Sequence, residues 1–317
     1  MYRLGVDLGG TNIVAGIVDE NYKIISKSSV KTNAGRSADE IVDSIAHITK
    51  KVIDEAGIAI LDVKSFGIGS PGDVNTQKGI VYSAGNLGFI NVDLQRMLYE
   101  RLGVNFFIAN DANAAAYGEY IAGAGKGSEN FVAITLGTGV GSGIIINRKI
   151  YTGSNFAGGE LGHTVIDMNG EECVCGSRGC FEMYASATAL VKQTKIAMKN
   201  DKNSIMWEIA EELESVNGIT AFSAASQGDK SAQLVINKYT EYIAIGLINI
   251  IRSFQPEIIC IGGGISKEKD NLIKPVLEHI KKYDKFQTML KHTKICVARL
   301  QNDAGVIGAA FLDNIYK

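Results

Sequence analysis

Leu4-Gly5-Val6-Asp7-Leu8-Gly9-Gly10-Thr11-Asn12-Ile13-Val14-Ala15 decides the fold. Apolar residues on either side of a glycine-threonine turn predict a strand over Tyr2 to Leu8 and a second over Ile13 to Asp19. A third, Ile24 to Val30, follows the turn Glu20-Asn21-Tyr22. The glycines of the first turn let the backbone approach an anion closely, with its N–H groups aimed at phosphate oxygens. Thr11 adds a hydroxyl donor, and Asp7 at the strand end is placed to hold magnesium, through water because magnesium keeps several of its waters.

Working outward, Ser37 and Glu40 have capping-box spacing, and Ile41, Ile45, Ile48 and Val52 form one apolar stripe of a helix that Gly57 stops. Strands Val63 to Ile68 and Phe106 to Ala109 flank a helix marked by Leu94, Met97, Leu98 and Leu102. The pattern then restarts. Phe131 to Leu136 and Gly143 to Asn147 read as a hairpin around Gly137-Thr138-Gly139-Val140-Gly141-Ser142, a turn of the same character as the first. A long helix over about Ser231 to Ser253 precedes a strand, Ile258 to Ile261, that ends in Gly262-Gly263-Gly264. A helix near Asp270 to Tyr283, a strand Ile295 to Leu300 and a last helix Gly305 to Ile315 complete the chain. The order implies a duplicated α/β unit with a central cleft, in which two phosphate-binding turns, Gly9 to Asn12 and Gly137 to Gly139, grip a triphosphate from both sides.

Two other glycine clusters fail their tests. Gly67-Ile68-Gly69-Ser70-Pro71-Gly72 has dinucleotide-fingerprint spacing, but Pro71 and the polar run Asp73 to Lys78 open no helix. Gly123-Ala124-Gly125-Lys126-Gly127 lacks the spacing of a P-loop.

A formal charge of −2 over 317 residues gives no basic excess for a nucleic-acid partner. The N-terminus carries no signal pattern and no segment reads as long enough to span a membrane, so a cytoplasmic protein without membrane partner is expected. Five cysteines are too few for a disulfide scaffold of this size. Cys173, Cys175 and Cys180 cluster instead, with His163 just upstream. One His and three Cys make a closed tetrahedral set suited to structural Zn2+, with no open position for a nucleophilic water. Cys260 and Cys296 lie in apolar strands and read as core; His47, His279 and His292 read as surface residues.

Asp7 to Asn12, Asn110-Asp111, Glu160 to His163 and the complete Cys-x-Cys-Gly-x-x-Gly-Cys-x-Glu run from Cys173 to Glu182 resemble the ROK family of repressors and sugar kinases, within it most closely bacterial glucokinases. The resemblance extends to Asp303-Ala304-Gly305. It implies an actin-like, ribonuclease H-like ATPase fold. A smaller N-terminal domain over 1–112, rejoined by a C-terminal helix at 302–317, would accompany a larger domain over 113–301 that holds the zinc site. It also implies that Asp111 is the catalytic base and that Asn86, Asn110, Asp111, Glu160, His163 and Glu182 bind sugar hydroxyls. Gly262, Gly263 and Gly264 would pass close to the adenosine. His163 would then serve the sugar with one ring nitrogen and zinc with the other.

The function expected on this basis is ATP- and Mg2+-dependent phosphorylation of a hexose 6-hydroxyl, glucose first, by a homodimer whose domains close over the sugar. N-acetylmannosamine, N-acetylglucosamine, mannose and fructose remain alternatives, as does polyphosphate for ATP. A sugar-sensing regulator is the reading from another class. The family's repressors place a DNA-binding segment ahead of the first strand, and here that strand begins at Tyr2. Asn110-Asp111 also has a plainer reading, as a helix cap.

Overall fold

The computed structural model describes residues 1–285 and 288–316. Strands β1 (Tyr2–Leu8), β2 (Asn12–Val18) and β3 (Ile24–Lys31) pair antiparallel in succession. Helix α1 (Ala38–Glu55) begins on the expected capping box: the Glu40 N–H donates to the Ser37 hydroxyl, and the Ser37 N–H donates to the Glu40 carboxylate at 2.9 Å. Its stripe Ile41, Ile45, Ile48 and Val52 is buried against the sheet. β4 (Val63–Ser70) adds to β1 in parallel, with Val6 opposite Ile68. Both strands are buried along most of their length, as parallel strands covered on both faces must be.

Residues 73–93 form a small antiparallel sheet that the sequence reading missed: β5 (Asp73–Asn75), β6 (Ile80–Ala84) and β7 (Phe89–Asp93), paired in that order. Helix α2 (Leu94–Leu102) is capped by the Asp93 carboxylate and ends at Gly103, whose φ of 69° suits glycine. β8 (Phe106–Asn110) then extends β4 in parallel and leads directly into α3 (Asp111–Ala122). The first sheet therefore runs β3-β2-β1-β4-β8.

The second half repeats that order. β9 (Phe131–Leu136), β10 (Val140–Ile146) and β11 (Lys149–Tyr151) are followed by five helices: α4 (Glu182–Ala185), α5 (Ala187–Asn200), α6 (Met206–Ala210), α7 (Thr220–Ser226) and α8 (Lys230–Phe254). β12 (Ile258–Gly262), α9 (Asp270–Tyr283), α10 (Met289–His292), β13 (Lys294–Val297) and α11 (Ala304–Ala310) complete it. The sheet runs β11-β10-β9-β12-β13, with β12 and β13 parallel and Cys260 opposite Cys296.

By compactness the chain divides into Met1–Phe131 with Gly143–Gly159 and Arg299–Lys317, and Val132–Ser142 with Glu160–Ala298. The expected boundary at residue 112 falls inside the first unit, at the start of α3. The reason is α11. It lies against the backbones of β1 and β4, where a Cβ on Gly5 or Gly67 would sit 1.9 Å from the carbonyl oxygen of Val306 or Ala309. It packs equally tightly on α3, through Gly308 against Ala114. α3 and α11 thus share one core with the first sheet. Arg3 on β1 donates to Asp313 at 3.0 Å, both side chains nearly buried, and its guanidinium lies 4.4 Å from the centre of the Phe311 ring.

Four expectations need correction. The last helix stops at Ala310 rather than Ile315, because a tighter turn over Leu312–Asn314 delivers Asp313 to Arg3; Lys317, the end of the expected 302–317 helix, lies outside the described residues. β13 ends at Val297, three residues early, and the chain there turns so that the Glu119 carboxylate receives the N–H groups of Arg299 and Leu300. His279 is no surface residue: it is 4% exposed on α9, burial holds its pKa below the ordinary imidazole value, and its Nδ1 has no partner among the described residues. One helix, α8, is long and apolar enough to cross a membrane by length and composition, yet 61% of that stretch is buried inside the fold, against α4, α5, α7 and α9.

Candidate active site

In the first unit, the strand–turn–strand opening positions two carboxylates. The Gly9 N–H donates to Asn12 O at 3.0 Å, which closes the turn. Thr32, just beyond β3, fixes it from outside: its hydroxyl donates to Gly9 O at 2.6 Å and its N–H to Thr11 O at 2.9 Å. Thr11 and Asn12 are left exposed at the tip. Asn86, on the turn between β6 and β7, comes up against this tip, since a Cβ on Gly10 would lie 3.2 Å from Asn86 Nδ2.

Asp7 lies one residue before the end of β1 and Asp111 opens α3, and each keeps part of its surface open to solvent. The Asp7 carboxyl is pushed up to about 6, first by burial and then by the charge of Asp111. Burial also raises Asp111, against the opposing pull of the Ala112 N–H that donates to it at 2.8 Å. A third contact presses on Asp7: a Cβ on Gly305 would lie 2.5 Å from its Oδ2, so only glycine leaves the carboxylate its place. Two carboxylates both raised by burial, one of them further by its neighbour's charge, have the chemistry of a cation-binding site paired with a general base.

The helix-cap reading resolves onto one residue. Asn110, not Asp111, caps α3: its Oδ1 accepts from the Asn113 N–H at 3.1 Å, while its Nδ2 donates to Gly72 O at 3.1 Å. Asp111 is thereby released from capping, and its carboxylate stands at the helix start beside Asp7.

The second unit gathers the remaining residues. The turn Gly137 to Gly139 closes on itself through the Gly137 N–H to Gly139 O at 3.0 Å. Gly263, with φ of 83°, leaves β12 so close to β9 that a Cβ would lie 2.4 Å from Leu136 O. The Gly262-Gly263-Gly264 run therefore sits beside the strand that enters the turn. Leu161 donates its N–H to the Ser142 hydroxyl at 3.1 Å, which brings Glu160 and His163 to the far side of the same hairpin. Glu182 joins them, accepting the Val140 N–H at 2.8 Å. Its neighbour Phe181 is fully buried against Gly246 of α8, where any Cβ would meet the ring at 2.4 Å.

His163, Cys173, Cys175 and Cys180 converge: their ligand atoms all lie within 4.8 Å of one another. Cys173 Sγ is 3.6 Å from His163 Nδ1, and Cys175 Sγ is 3.6 Å from Cys180 Sγ. Tetrahedral zinc with bonds of about 2.0–2.3 Å needs donor separations of about 3.5–3.8 Å, so the residues fit the ion. The backbone N–H of Ser177 holds the exposed Cys175 thiol down to about 7, which favours the ligating thiolate. With Nδ1 turned to the cysteines, Nε2 of His163 is the nitrogen left for another partner.

Of the residues that shape these sites, Thr32 and Gly246 were not singled out from the sequence, and Gly305 was read only as part of the resemblance and as the start of the last helix. Their contacts join residues 23, 65 and 298 positions apart, and no local pattern marks them as partners.

Two sheets of identical strand order, each opening on a glycine-threonine turn, define an ATPase of the actin-like fold. Within it, the chain belongs to the ROK family, whose pattern it matches over residues 3–314. It is 36% identical over 308 residues to a glucokinase of Thermotoga maritima, covering 97% of this chain and 95% of that protein. A glucokinase of Halalkalibacterium halodurans is 36% identical over 315 residues, covering 98% and 94%. Among solved structures, a ROK family glucokinase from Streptomyces griseus in complex with glucose and AMPPNP superposes with a TM-score of 0.85, at 33% identity over 98% of this chain and 99% of that one.

Proposed function

We propose that the protein is a cytoplasmic kinase that transfers the γ-phosphoryl group of ATP to the 6-hydroxyl of glucose. The observation that carries the reading is the pair Asp7 and Asp111, two carboxylates raised by burial beside a glycine-threonine turn, with Asp111 raising Asp7 further, in a chain that shares a third of its residues with glucokinases along its whole length.

In this reading Asp111 accepts the proton of the sugar hydroxyl as it attacks phosphorus. The raised pKa supports the assignment, because a base closer to the operating pH has more drive to take the proton. Asp7 would hold Mg2+, which would supply charge neutralisation at the phosphates, and Gly9, Gly10, Thr11 and Asn12 offer donors to them. Asn86, Asn110, Glu160, Nε2 of His163 and Glu182 are assigned to sugar hydroxyls, Gly137, Thr138 and Gly139 to phosphate, and Gly262, Gly263 and Gly264 to the adenosine. His163 Nδ1, Cys173, Cys175 and Cys180 would hold a zinc ion, which would keep the imidazole oriented, as outer-shell partners orient ligands elsewhere. A homodimer is the assembly expected from the family.

The test is ADP release from ATP and magnesium, followed with glucose, mannose, fructose, N-acetylglucosamine and N-acetylmannosamine in turn. Glucose is expected to give the highest kcat/KM. A higher value with an N-acetyl sugar would replace glucose as substrate, and ADP release that ignores every sugar would reject the kinase reading.

A further inference from the structure

Glu182 is assigned above to the sugar, yet its carboxylate is engaged with the other substrate's turn. Oε2 accepts the N–H of Val140 at 2.8 Å. It also fills the space over Gly139 so closely that a Cβ there would lie 2.1 Å from it. Val140 is buried, so losing this acceptor costs its N–H more than it would at the surface. The residues after Glu182 hold the same turn from its carbonyl side. The Ala187 N–H donates to Gly137 O at 2.8 Å, and the Thr188 hydroxyl donates to Thr138 O at 2.8 Å. Residues 182–188 therefore form a brace, with the Glu182 bond at one end and the start of α5 at the other. The chain enters that brace from Cys180 and the buried Phe181.

We propose that Glu182 is a positioning residue for the Gly137 to Gly139 turn as well as a sugar ligand, so that sugar affinity and nucleotide affinity are coupled through one carboxylate. The inference rests on the reading of that turn as nucleotide-binding and of Glu182 as sugar-binding. A sugar that orders the Glu182 side chain orders the acceptor of the Val140 N–H, and a nucleotide that orders the turn fixes the carboxylate for the sugar. Such coupling is reciprocal by necessity.

The test measures ADP binding without sugar and glucose binding without nucleotide, by calorimetry on the zinc-loaded protein. Wild type must bind both; if it binds neither, the underlying reading fails and not this proposal. Glu182→Ala removes the acceptor and should weaken ADP about ten-fold or more, the effect of losing a buried hydrogen bond to a charged group. Glu182→Gln keeps a carbonyl oxygen for the Val140 N–H and should retain ADP affinity while glucose affinity falls in both variants. Gly139→Ala leaves the carboxylate in the protein but pushes it aside; this turn substitution should weaken glucose binding, and it serves should Glu182→Ala fail to fold. ADP affinity in Glu182→Ala equal to or tighter than wild type, or unchanged glucose affinity in Gly139→Ala, would overturn the proposal.

Discussion

The roles proposed for Asp7 and Asp111 come at a cost to the fold. Above pH 6 Asp7 is ionised in the native state although burial and its neighbour both oppose the charge. The sign follows directly. A carboxyl whose folded pKa is raised from 3.8 to about 6 binds more protons folded than unfolded in that window, so stability falls as pH rises through it. The gap of about two units corresponds to roughly 3 kcal/mol above the window. Asp7→Asn should therefore raise the thermal midpoint of the metal-free protein at pH 7, leave it unchanged at pH 4, and lose turnover. An unchanged midpoint at pH 7 would mean that Asp7 carries no such charge. The upward shifts of Asp7 and Asp111 move the acid limb of kcat/KM above the ordinary carboxylate range, which a pH–rate profile reads directly. Asp111→Asn should fold normally and lose about 10²- to 10⁴-fold in kcat, the range of a positioned base; near-normal turnover would reject Asp111 as that base. Several of these residues were legible in the sequence because their signals are local: Asp7 abuts its glycines, and the cysteines cluster within eight positions. The division of labour at Asn110-Asp111 was not, since it depends on Asn110 reaching Gly72, 38 residues away. The burial of His279 was not either, because a lone histidine on an amphipathic helix reads the same whichever neighbour covers it.

Among the elements, the segment from Leu161 to α5 joins the Cys/His cluster to the proposed sugar ligand Glu182. His163 Nδ1 faces Cys173, the Phe181 N–H donates to Thr164 O at 2.8 Å, and Glu182 follows at once. Metal and sugar affinity should therefore fall together. Cys175→Ser changes an exposed side chain and spares the buried core. It should leave the fold intact, release zinc in a metal assay and weaken glucose binding in calorimetry. Glucose affinity that survives in zinc-free protein would break the link between His163 and the ion. Helix α1 was readable from its period and capping box, and α8 and α9 lie close to the ranges expected for them. The sheet β5-β6-β7 was not: its strands are three to five residues long, and exposed polar and apolar residues interrupt any alternation. That sheet is what brings Asn86 to the first turn, so a sugar ligand of the proposed site rested on structure with no clear local signature.

Over the whole molecule, the repeated order β3-β2-β1-β4-β8 and β11-β10-β9-β12-β13 was foreshadowed by two hairpins with glycine-threonine turns. What remained hidden was how the C-terminus closes the first unit. Gly5 and Gly67 admit α11, and Asp313 meets Arg3 across a separation of 310 residues. Those contacts press Gly305 onto Asp7, so the end of the chain helps shape the proposed metal-binding carboxylate. The central claim, phosphoryl transfer from ATP to the glucose 6-hydroxyl, is tested most directly by identifying the product. Phosphorus and proton nuclear magnetic resonance of a reaction containing glucose, ATP and magnesium should show a phosphate ester on carbon 6 in step with ADP. Inorganic phosphate, an ester at another carbon, or no turnover would contradict it.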